Sequence, residues 1–367
     1  MVAQTSSWIV RRLGHLDGIL LTLVLLLLGV SLAVVASASG QSPARISGHL
    51  INIGLALGVM VVMANVPPHL LSKVGPPLYA AGLVLLIGVA LFGEIRNGSR
   101  RWLNLGFTAF QPSELLKLAL PLMMAWYFQR NEGVLRTRHF LVGGALLLVP
   151  FLLILRQPDL GTAMMIGASG FYLLFFAGLP WKVILGGATL GAASLPVVWG
   201  LMHDYQQRRV LTLLDPTSDP LGDGYHIIQS TIAIGSGGLF GKGWMQGTQN
   251  KLDFIPERTT DFIFAVFGEE FGYLGVIFLV GLYVAIVARG LVIAARAPTL
   301  FGRLMAATLS LNLFTYMFVN MGMVSGILPV VGVPLPLMSY GGTALVTLLL
   351  GVGILMSVAS YRQLNKT

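Results

Sequence analysis

An acidic side chain, Asp261, stands where the longest polar segment of the sequence runs directly into an apolar helix. Residues 262–266, which follow it, are all apolar, and Glu257 and Arg258 lie a few positions before it. A carboxylate at the mouth of a membrane helix is costly to retain unless the protein uses it. One such use is that of a general base, which takes a proton from an attacking hydroxyl group.

Glu114 and Lys117 form a second candidate site at the start of another apolar stretch. Their spacing of three residues places both side chains on one face of a helix. Two interpretations remain open: the two charges neutralise each other and only fix packing, or the pair faces a polar cavity. Ionisable residues at membrane depth are usually functional, which favours the cavity.

Basic residues indicate where an anion would be held. Arg100 and Arg101 crowd one short loop beside Trp102, which predicts either an anion-binding rim or side chains that simply sit at the membrane interface. The glycines around Lys242, in residues 235–243, would let backbone N–H groups cradle a phosphate, but such a run can also be merely flexible. The chain lacks the Walker lysine–serine pattern, so a nucleotide site is not expected.

The elements that position these residues are membrane helices. Of the 367 residues, 55% are hydrophobic and only 10% are charged, and the mean hydropathy is +0.81. Since a span needs about 20 mostly apolar residues, the sequence predicts an all-α integral membrane protein with about ten spans. The predicted spans are 17–37, 48–66, 77–94, 112–129, 139–156, 160–178, 182–202, 260–288, 302–326 and 341–360. The absence of cysteine excludes disulfides and thiolate metal sites, and the first apolar run is too long for a cleavable signal segment.

Charge asymmetry predicts the orientation of the chain. If Arg11 and Arg12 lie inside the cell, nearly all of the net charge of +9 falls on the inner side of the spans. Both termini are then cytoplasmic, and residues 203–260 form a large extracytoplasmic loop between the seventh and eighth spans. The basic balance therefore reports orientation and is no evidence of nucleic-acid binding.

Two irregular segments interrupt the apolar pattern. Residues 227–234, within the long loop, predict a short interfacial or re-entrant helix. Pro329, Pro334 and Pro336 rule out a continuous helix in residues 320–344, although this segment carries no charge. Broken backbone at membrane depth must be buried in protein or line a cavity. The hydroxyl of Ser339 is therefore expected to satisfy freed backbone groups rather than to bind a ligand.

Six motifs together resemble one protein family. They are NGSRRWLNLG, QPSELLKL, RQPDLGTA, IGSGGLFGKGW, FIPERTTDFIFAVFGEEFG and GILPVVGVPLPLMSYGG. On these motifs the chain resembles the SEDS proteins (shape, elongation, division and sporulation) over essentially its whole length, as a single membrane domain. The forms GTQNKLDFIPERTTDFIF and VVGVPLPLMSYGG are closer to the branch that elongates rod-shaped cells than to the septal branch, which is the alternative with the same chemistry.

The resemblance implies a fold of ten helices and a function. It implies a peptidoglycan glycosyltransferase that polymerises lipid II on the outer face of the cytoplasmic membrane of a bacterium. It also implies partners, namely a class B penicillin-binding protein transpeptidase and other membrane proteins of the elongation complex. Asp261 matches the essential catalytic carboxylate of the family, and Glu114, Lys117 and Asp253 match further polar positions of its pattern.

The implied chemistry needs few groups. An α-linked donor that gives a β-1,4 product implies inversion, so one carboxylate base suffices where glycoside hydrolysis normally uses two. We assign Asp261 to take the proton from the acceptor hydroxyl, while positive charge stabilises the departing diphosphate. The candidates for that positive charge are Arg100, Arg101, Lys117, Lys242 and Arg258. The scheme requires no cofactor. A divalent cation such as Mg²⁺ or Mn²⁺, held by Asp or Glu, is an open alternative, but no compact metal motif in the sequence supports it.

Two other classes of function compete with this one. A lipid II flippase or other transporter would also have many spans and broken helices, but the sequence has no clear inverted repeat and its charges gather on one face. A structural scaffold would leave Asp261 without a use. Glu269 and Glu270 lie more than two helical turns beyond Asp261, and we interpret them as structural.

Overall fold

The computed structural model describes residues 16–96, 99–104, 109–133, 135–157, 159–202, 204–219 and 222–364. Within these residues the α-helices are α1 Gly18–Ala38, α2 Pro43–Ala64, α3 Pro68–Phe92, α4 Pro112–Arg130, α5 Thr137–Leu155, α6 Leu160–Phe176, α7 Trp181–Leu201, α8 Asp204–Leu214, α9 Asp223–Ser236, α10 Thr248–Lys251, α11 Ile263–Arg296, α12 Leu300–Val324 and α13 Gly342–Leu364. Three short strands, β1 Glu94–Arg96, β2 Ser99–Asn104 and β3 Ala109–Phe110, lie between α3 and α4.

The membrane helices confirm the predicted architecture. In the described part of the chain, eight helices are long and apolar enough to cross a membrane: α1, α2, α3, α5, α7, α11, α12 and α13. The helix α6 is shorter, at 17 residues, and α4 has lower hydropathy because it carries Glu114, Lys117 and Arg130. Both pack among the other eight. The chain is therefore a multi-pass membrane protein, and its described residues form ten long helices.

Two predicted boundaries were wrong by about two turns of helix. The third span was expected to begin at residue 77, but α3 begins at Pro68 and contains Pro76 and Pro77. Membrane helices tolerate prolines when neighbours satisfy the freed backbone groups. The eighth span was expected to end at residue 288, but α11 continues to Arg296. Its extension is held by Arg289, whose guanidinium donates to both carboxylate oxygens of Asp17 at 3.0 and 2.5 Å.

The helix α12 is the centre of the bundle. It packs against α11, α6, α4 and α13, and most of its apolar stretch is buried. Elsewhere α2 packs along α13, and a Cβ added to Gly353 would lie 2.6 Å from the backbone oxygen of Met60. Such close approach through glycine is what the glycine-rich composition predicts. By contrast, residues 181–200 of α7 include no buried residue.

The segment between α3 and α4 forms an antiparallel ribbon in its described residues, in which β1 pairs with β2 and β2 with β3. Its position at the membrane interface, one of the two alternatives for Arg100 and Arg101, stays a prediction. The side chains of Arg100 and Arg101, in β2, fall outside the described part of the structure.

The backbone of both irregular segments follows the prediction. The helix expected at residues 227–234 is the centre of α9, and its interfacial or re-entrant position stays a prediction. Residues 325–341 form no helix, and buried side chains donate to some of their freed carbonyls. Tyr283 donates to the carbonyl of Pro336 at 2.6 Å, and Ser31 donates to that of Met338 at 2.8 Å. Most of residues 330–339 in the broken segment are thus buried in protein, as backbone at membrane depth must be unless it lines a cavity.

Candidate active site

A polar cavity of about 210 Å³ lies between α4, the start of α6, α12, the broken segment and α13. Its lining residues are Gln111, Glu114, Lys117, Asp159, Gly161, Thr162, Met165, Tyr316, Gly332, Val333, Pro334, Ala344, Thr347 and Leu348. Helices from distant parts of the sequence therefore converge here. We call this space the central cavity.

Glu114 and Lys117 meet both interpretations of their spacing. The Lys117 ammonium donates to the Glu114 carboxylate at 2.5 Å, so the two charges are paired. Both side chains are still 15–16% exposed and both line the central cavity. The Lys117 nitrogen also lies 5.5 Å from the ring centroid of Tyr316, on α12. An ammonium has three donors, so the pair leaves Lys117 able to donate to an anion in the cavity.

Asp159, at the start of α6, also lines the cavity. Its carboxylate caps α6 by accepting from the backbone N–H of Thr162 at 3.1 Å. The same carboxylate accepts from the side-chain amide of Gln111 at 3.2 Å. Two lining residues, Asp159 and Gln111, are thus linked at the start of α6.

Asp261 lies directly behind one wall of the central cavity. It belongs to the turn that precedes α11. A Cβ added to Gly332 would lie 3.5 Å from Oδ2 of Asp261, and Gly332 itself lines the cavity. Gly332 has φ +69°, a conformation that favours glycine. Because glycine has no side chain, only its backbone separates the Asp261 carboxylate from the cavity at this point. Gly332 therefore separates the Asp261 carboxylate from the cavity that Lys117 lines, and Asp261 contacts this wall from the turn before α11.

The electrostatics of Asp261 suit a proton acceptor. Burial, and then the nearby negative charge of Glu257, raise the pKa of Asp261 to about 6. A carboxyl group with a pKa near 6 is largely ionised at neutral pH and is a stronger base than an ordinary aspartate. This side chain can therefore take a proton under physiological conditions.

Asp253 and Arg258 lie in a different space. A second polar cavity, of about 270 Å³, is lined by Ala38, Ser39, Arg45, Asp253, Ile255, Glu257, Arg258 and Thr259. Arg258 forms an ion pair with Asp253 and donates to the carbonyl of Asn250 at 2.7 Å. Thr259, two residues before Asp261, accepts from Arg45 at 2.7 Å. Asp253 and Arg258 therefore neighbour the Asp261 turn without lining the central cavity.

Lys242 is engaged by a buried acid. Its ammonium lies 2.7 Å from the Glu269 carboxylate, whose side chain is fully buried. The same carboxylate oxygen accepts from the backbone N–H groups of Thr248 and Gln249 at 2.8 and 3.0 Å. Buried Glu270 accepts from the hydroxyl of Ser37. These contacts fit the structural role expected for Glu269 and Glu270, and they show no opening of Lys242 toward the central cavity.

The glycine-rich segment does not cradle phosphate in this arrangement. Its N–H groups at Lys242 and Gly243 donate at 3.0 Å to the carbonyls of Glu269 and Glu270. The interpretation of the glycines as a phosphate cradle was therefore wrong, because these donors are consumed inside the protein.

The reason is a break in α11. Gly272 has φ +66° and ψ −166°, so the helix is interrupted there. After the break, the N–H groups of Tyr273 and Leu274 donate to the carbonyls of Gly238 and Leu239 at 2.9 and 3.1 Å. The glycine-rich segment thus supplies hydrogen bonds to both ends of the broken helix, as buried helix termini require.

Comparison with known proteins shows the family to which the chain belongs. The model of the FtsW/RodA/SpoVE cell cycle proteins matches residues 17–364. The chain belongs to the FtsW/RodA/SpoVE family. The peptidoglycan glycosyltransferase MrdB of Escherichia coli K12 is 52% identical over 351 residues, which cover 95% of each chain. A probable peptidoglycan glycosyltransferase FtsW of Idiomarina loihiensis is 35% identical, over 95% of this chain and 88% of its own.

Solved structures share the fold of this FtsW/RodA/SpoVE protein. A structure described as structural coordination of polymerization and crosslinking by a peptidoglycan synthase complex matches with a TM-score of 0.81 and 37% identity, over 95% of this chain and 98% of the other. The rod shape determining protein RodA of Thermus thermophilus matches with a TM-score of 0.72 and 30% identity, over 95% and 97%. The higher identity to MrdB than to FtsW agrees with the predicted elongation branch.

Sequence reasoning missed several lining residues of this FtsW/RodA/SpoVE site. Asp159 stands in the sequence analysis only within the motif RQPDLGTA, and Tyr316 is not singled out there, because an aromatic residue inside an apolar helix carries no distinctive pattern. The N-cap position of Asp159, directly before the apolar run of α6, was a usable signal. Among the described residues, no group of three or more His, Asp or Glu side chains is arranged to hold a metal ion.

Proposed function

We infer that the chain is a peptidoglycan glycosyltransferase, and we propose that it polymerises lipid II into β-1,4 glycan strands for lateral wall elongation and rod shape. The observation that carries the proposal is the position of Asp261, with its raised pKa, against Gly332 in the wall of the cavity that Lys117 lines. A base and a cation beside one cavity are what glycosyl transfer from a diphosphate donor needs.

The proposed step is a single displacement. The 4-hydroxyl oxygen of the acceptor sugar attacks the anomeric carbon of the donor, and Asp261 takes the hydroxyl proton. The bond from that carbon to the diphosphate oxygen breaks at the same time, and the electron pair leaves with the diphosphate. Lys117 donates to the departing oxygens, and Glu114 holds it in place. The configuration at the anomeric carbon is inverted.

The proposed setting follows from the predicted orientation. With both termini in the cytoplasm, the turn that carries Asp261 lies at the outer face of the cytoplasmic membrane, together with residues 203–260. A transpeptidase of the class B penicillin-binding type is the proposed partner, because the glycan product needs crosslinking. The structural relative described as coordinating polymerization and crosslinking supports a partner of this kind.

A lipid II flippase remains the competing function. The broken segment 325–341 and the interrupted α11 are features that transporters also have. Purification of the chain with its transpeptidase partner, followed by assay of glycan chain growth from lipid II, tests the proposal. A protein that moves lipid II across vesicle membranes but forms no glycan under these conditions would contradict it.

Replacement of Lys117 with alanine should weaken use of the donor. The change removes the cation from the central cavity and leaves the Glu114 carboxylate there without its partner. Loss of a charge-assisted contact of this kind costs roughly 10- to 100-fold in kcat/KM. Lys182→Ala, at an exposed position in α7, is the matched control and should behave as wild type. A folded Lys117→Ala variant with wild-type kcat/KM for lipid II would contradict the assignment of Lys117 to the departing diphosphate.

The pH dependence should follow the Asp261 carboxyl group. Only the ionised form accepts a proton, so kcat/KM should rise with pH through the pKa near 6 and reach a plateau above it. Glu257→Gln removes a negative charge that raises this pKa, so the acid limb should move to lower pH. Rates of glycan synthesis between pH 5 and 8 measure both, a range that covers the pKa on each side. An acid limb that stays in place in Glu257→Gln would contradict the assignment.

A further inference from the structure

Asn320 joins the two backbone segments that meet at the Asp261 carboxylate. It lies in the last turns of α12 and is completely buried. Its side-chain amide nitrogen donates to the backbone carbonyl of Asp261 at 2.8 Å and to that of Val333 at 2.7 Å. One side chain therefore uses both of its N–H groups to tie the Asp261 turn to the broken segment.

The orientation of this amide is determined by its partners. Both neighbours are carbonyl oxygens, so only the nitrogen can face them. A reversed amide would place Oδ1 against two acceptors. The Oδ1 atom is buried and has no hydrogen-bond partner among the described residues. The amide therefore serves as a double donor, a role that neither aspartate nor a residue with an apolar side chain could fill.

Three successive carbonyls of this turn accept hydrogen bonds from other segments, and Asn320 donates the third of these bonds. The carbonyl of Thr259 accepts from the backbone N–H of Tyr340 at 2.8 Å. The carbonyl of Thr260 accepts from the hydroxyl of Ser339 at 2.6 Å. All three donors lie outside the turn. The donor to Asp261 itself belongs to α12, the most buried of the membrane-spanning helices in the described residues. The position of the carboxylate is thus set by tertiary contacts rather than by the helix that follows it.

The second hydrogen bond of Asn320, to the carbonyl of Val333, links the Asp261 turn to the wall of the central cavity. Val333 follows Gly332, the residue that lies against Oδ2 of Asp261, and both line the central cavity. The amide therefore fixes the distance between the carboxylate and the cavity wall next to it. We propose that Asn320 is a positioning residue that holds Asp261 in the geometry needed for proton transfer. This inference rests on the proposed function, in which Asp261 is the base.

The test is a kinetic comparison of variants in the complex with the transpeptidase, with lipid II as substrate. Asn320→Leu removes both donors at similar volume and should lower kcat on the order of 100-fold, because a displacement of about 1 Å at a reacting group has an effect of that size. KM should change little, because Asn320 is buried behind the wall. Asn320→Ser keeps one donor and should recover part of the loss.

Ser310→Ala is the matched control. Ser310 is also buried on α12, but its hydroxyl donates at 2.7 Å to the carbonyl of Ala306 in its own helix. This variant should keep the wild-type kcat. A general weakening of α12 would affect both positions, whereas loss of positioning would affect Asn320 alone.

Several results would overturn the proposal. A folded Asn320→Leu variant with wild-type kcat would do so, as would a loss that appears in KM or one that Asn320→Ser does not reduce. If neither Asn320 variant accumulates, Asn320 serves folding alone and the proposal is also wrong. Asp261→Asn, assayed in parallel, separates this from the function itself: if that variant is active, the base assignment fails whatever the Asn320 variants do.

Discussion

Asp261→Asn should abolish glycan synthesis while leaving the protein folded. The amide has nearly the size of the carboxylate but cannot accept the proton of the acceptor hydroxyl. Loss of a positioned base lowers the rate by roughly 10²- to 10⁴-fold. Because the backbone carbonyl of Asp261 makes the bond to Asn320, that tie remains in the variant. The measurement is the rate of glycan chain growth from lipid II by the complex with its transpeptidase.

Asp215→Asn is the control for this experiment. Asp215 is an exposed aspartate between α8 and α9, where it accepts from the backbone N–H of Thr217 at 3.1 Å. This variant should polymerise at the wild-type rate. Near-normal polymerisation by Asp261→Asn, with the variant folded and bound to its partner, would remove Asp261 from the mechanism and would favour a transport or scaffold function.

Gly272→Ala should prevent the protein from accumulating in folded form. The position has φ +66° and ψ −166°, a region of backbone space that is essentially restricted to glycine. An added Cβ would also lie 2.2 Å from the backbone nitrogen of Gly241. Strain and overlap together should cost on the order of 4 kcal/mol or more, which is exceptional for a single substitution. Thermal unfolding of detergent-purified protein, together with its yield, measures the effect.

Gly281→Ala is the matched control in the same helix. No atom lies within 4 Å of a Cβ added there, so nothing has to move. Alanine also has the higher helix propensity, by about 1 kcal/mol. Gly281→Ala should therefore be at least as stable as wild type. If Gly272→Ala were equally stable, the break in α11 and its pairing with the glycine-rich segment would not exist.

The number of helices and their positions followed from hydropathy because a bilayer imposes one simple requirement on each span. The apolar stretches are long and separate, so α1 and α13 were located within a few residues. The two larger errors arose where charge or proline broke the pattern without breaking the helix, at Pro76 and at Arg289. Pairing with Asp17 explains the second, and no local pattern announces a partner so distant in sequence.

The active site was only partly predictable. Acids and bases stand out against an apolar background, so Asp261, Glu114 and Lys117 were found by type alone. Lys242 looked equally available, and its pairing with Glu269 depends on a helix break that apolar periodicity conceals. Asn320 is one amide within a membrane helix, and its role exists only because residues 261 and 333 meet beside it.

Because residues 181–200 of α7 are almost all exposed, the orientation of this helix should depend on the thickness of the bilayer. A helix of 21 residues is about 32 Å long, close to the hydrocarbon thickness of about 30 Å. Because residues 181–200 of α7 have no buried face, we expect the tilt of α7 to follow the lipid rather than neighbouring helices. It leads to α8 and α9, where His226 stacks at 5.2 Å on Phe262, the residue after Asp261. Lipids of different chain length would thus act on the surroundings of Asp261 through α7.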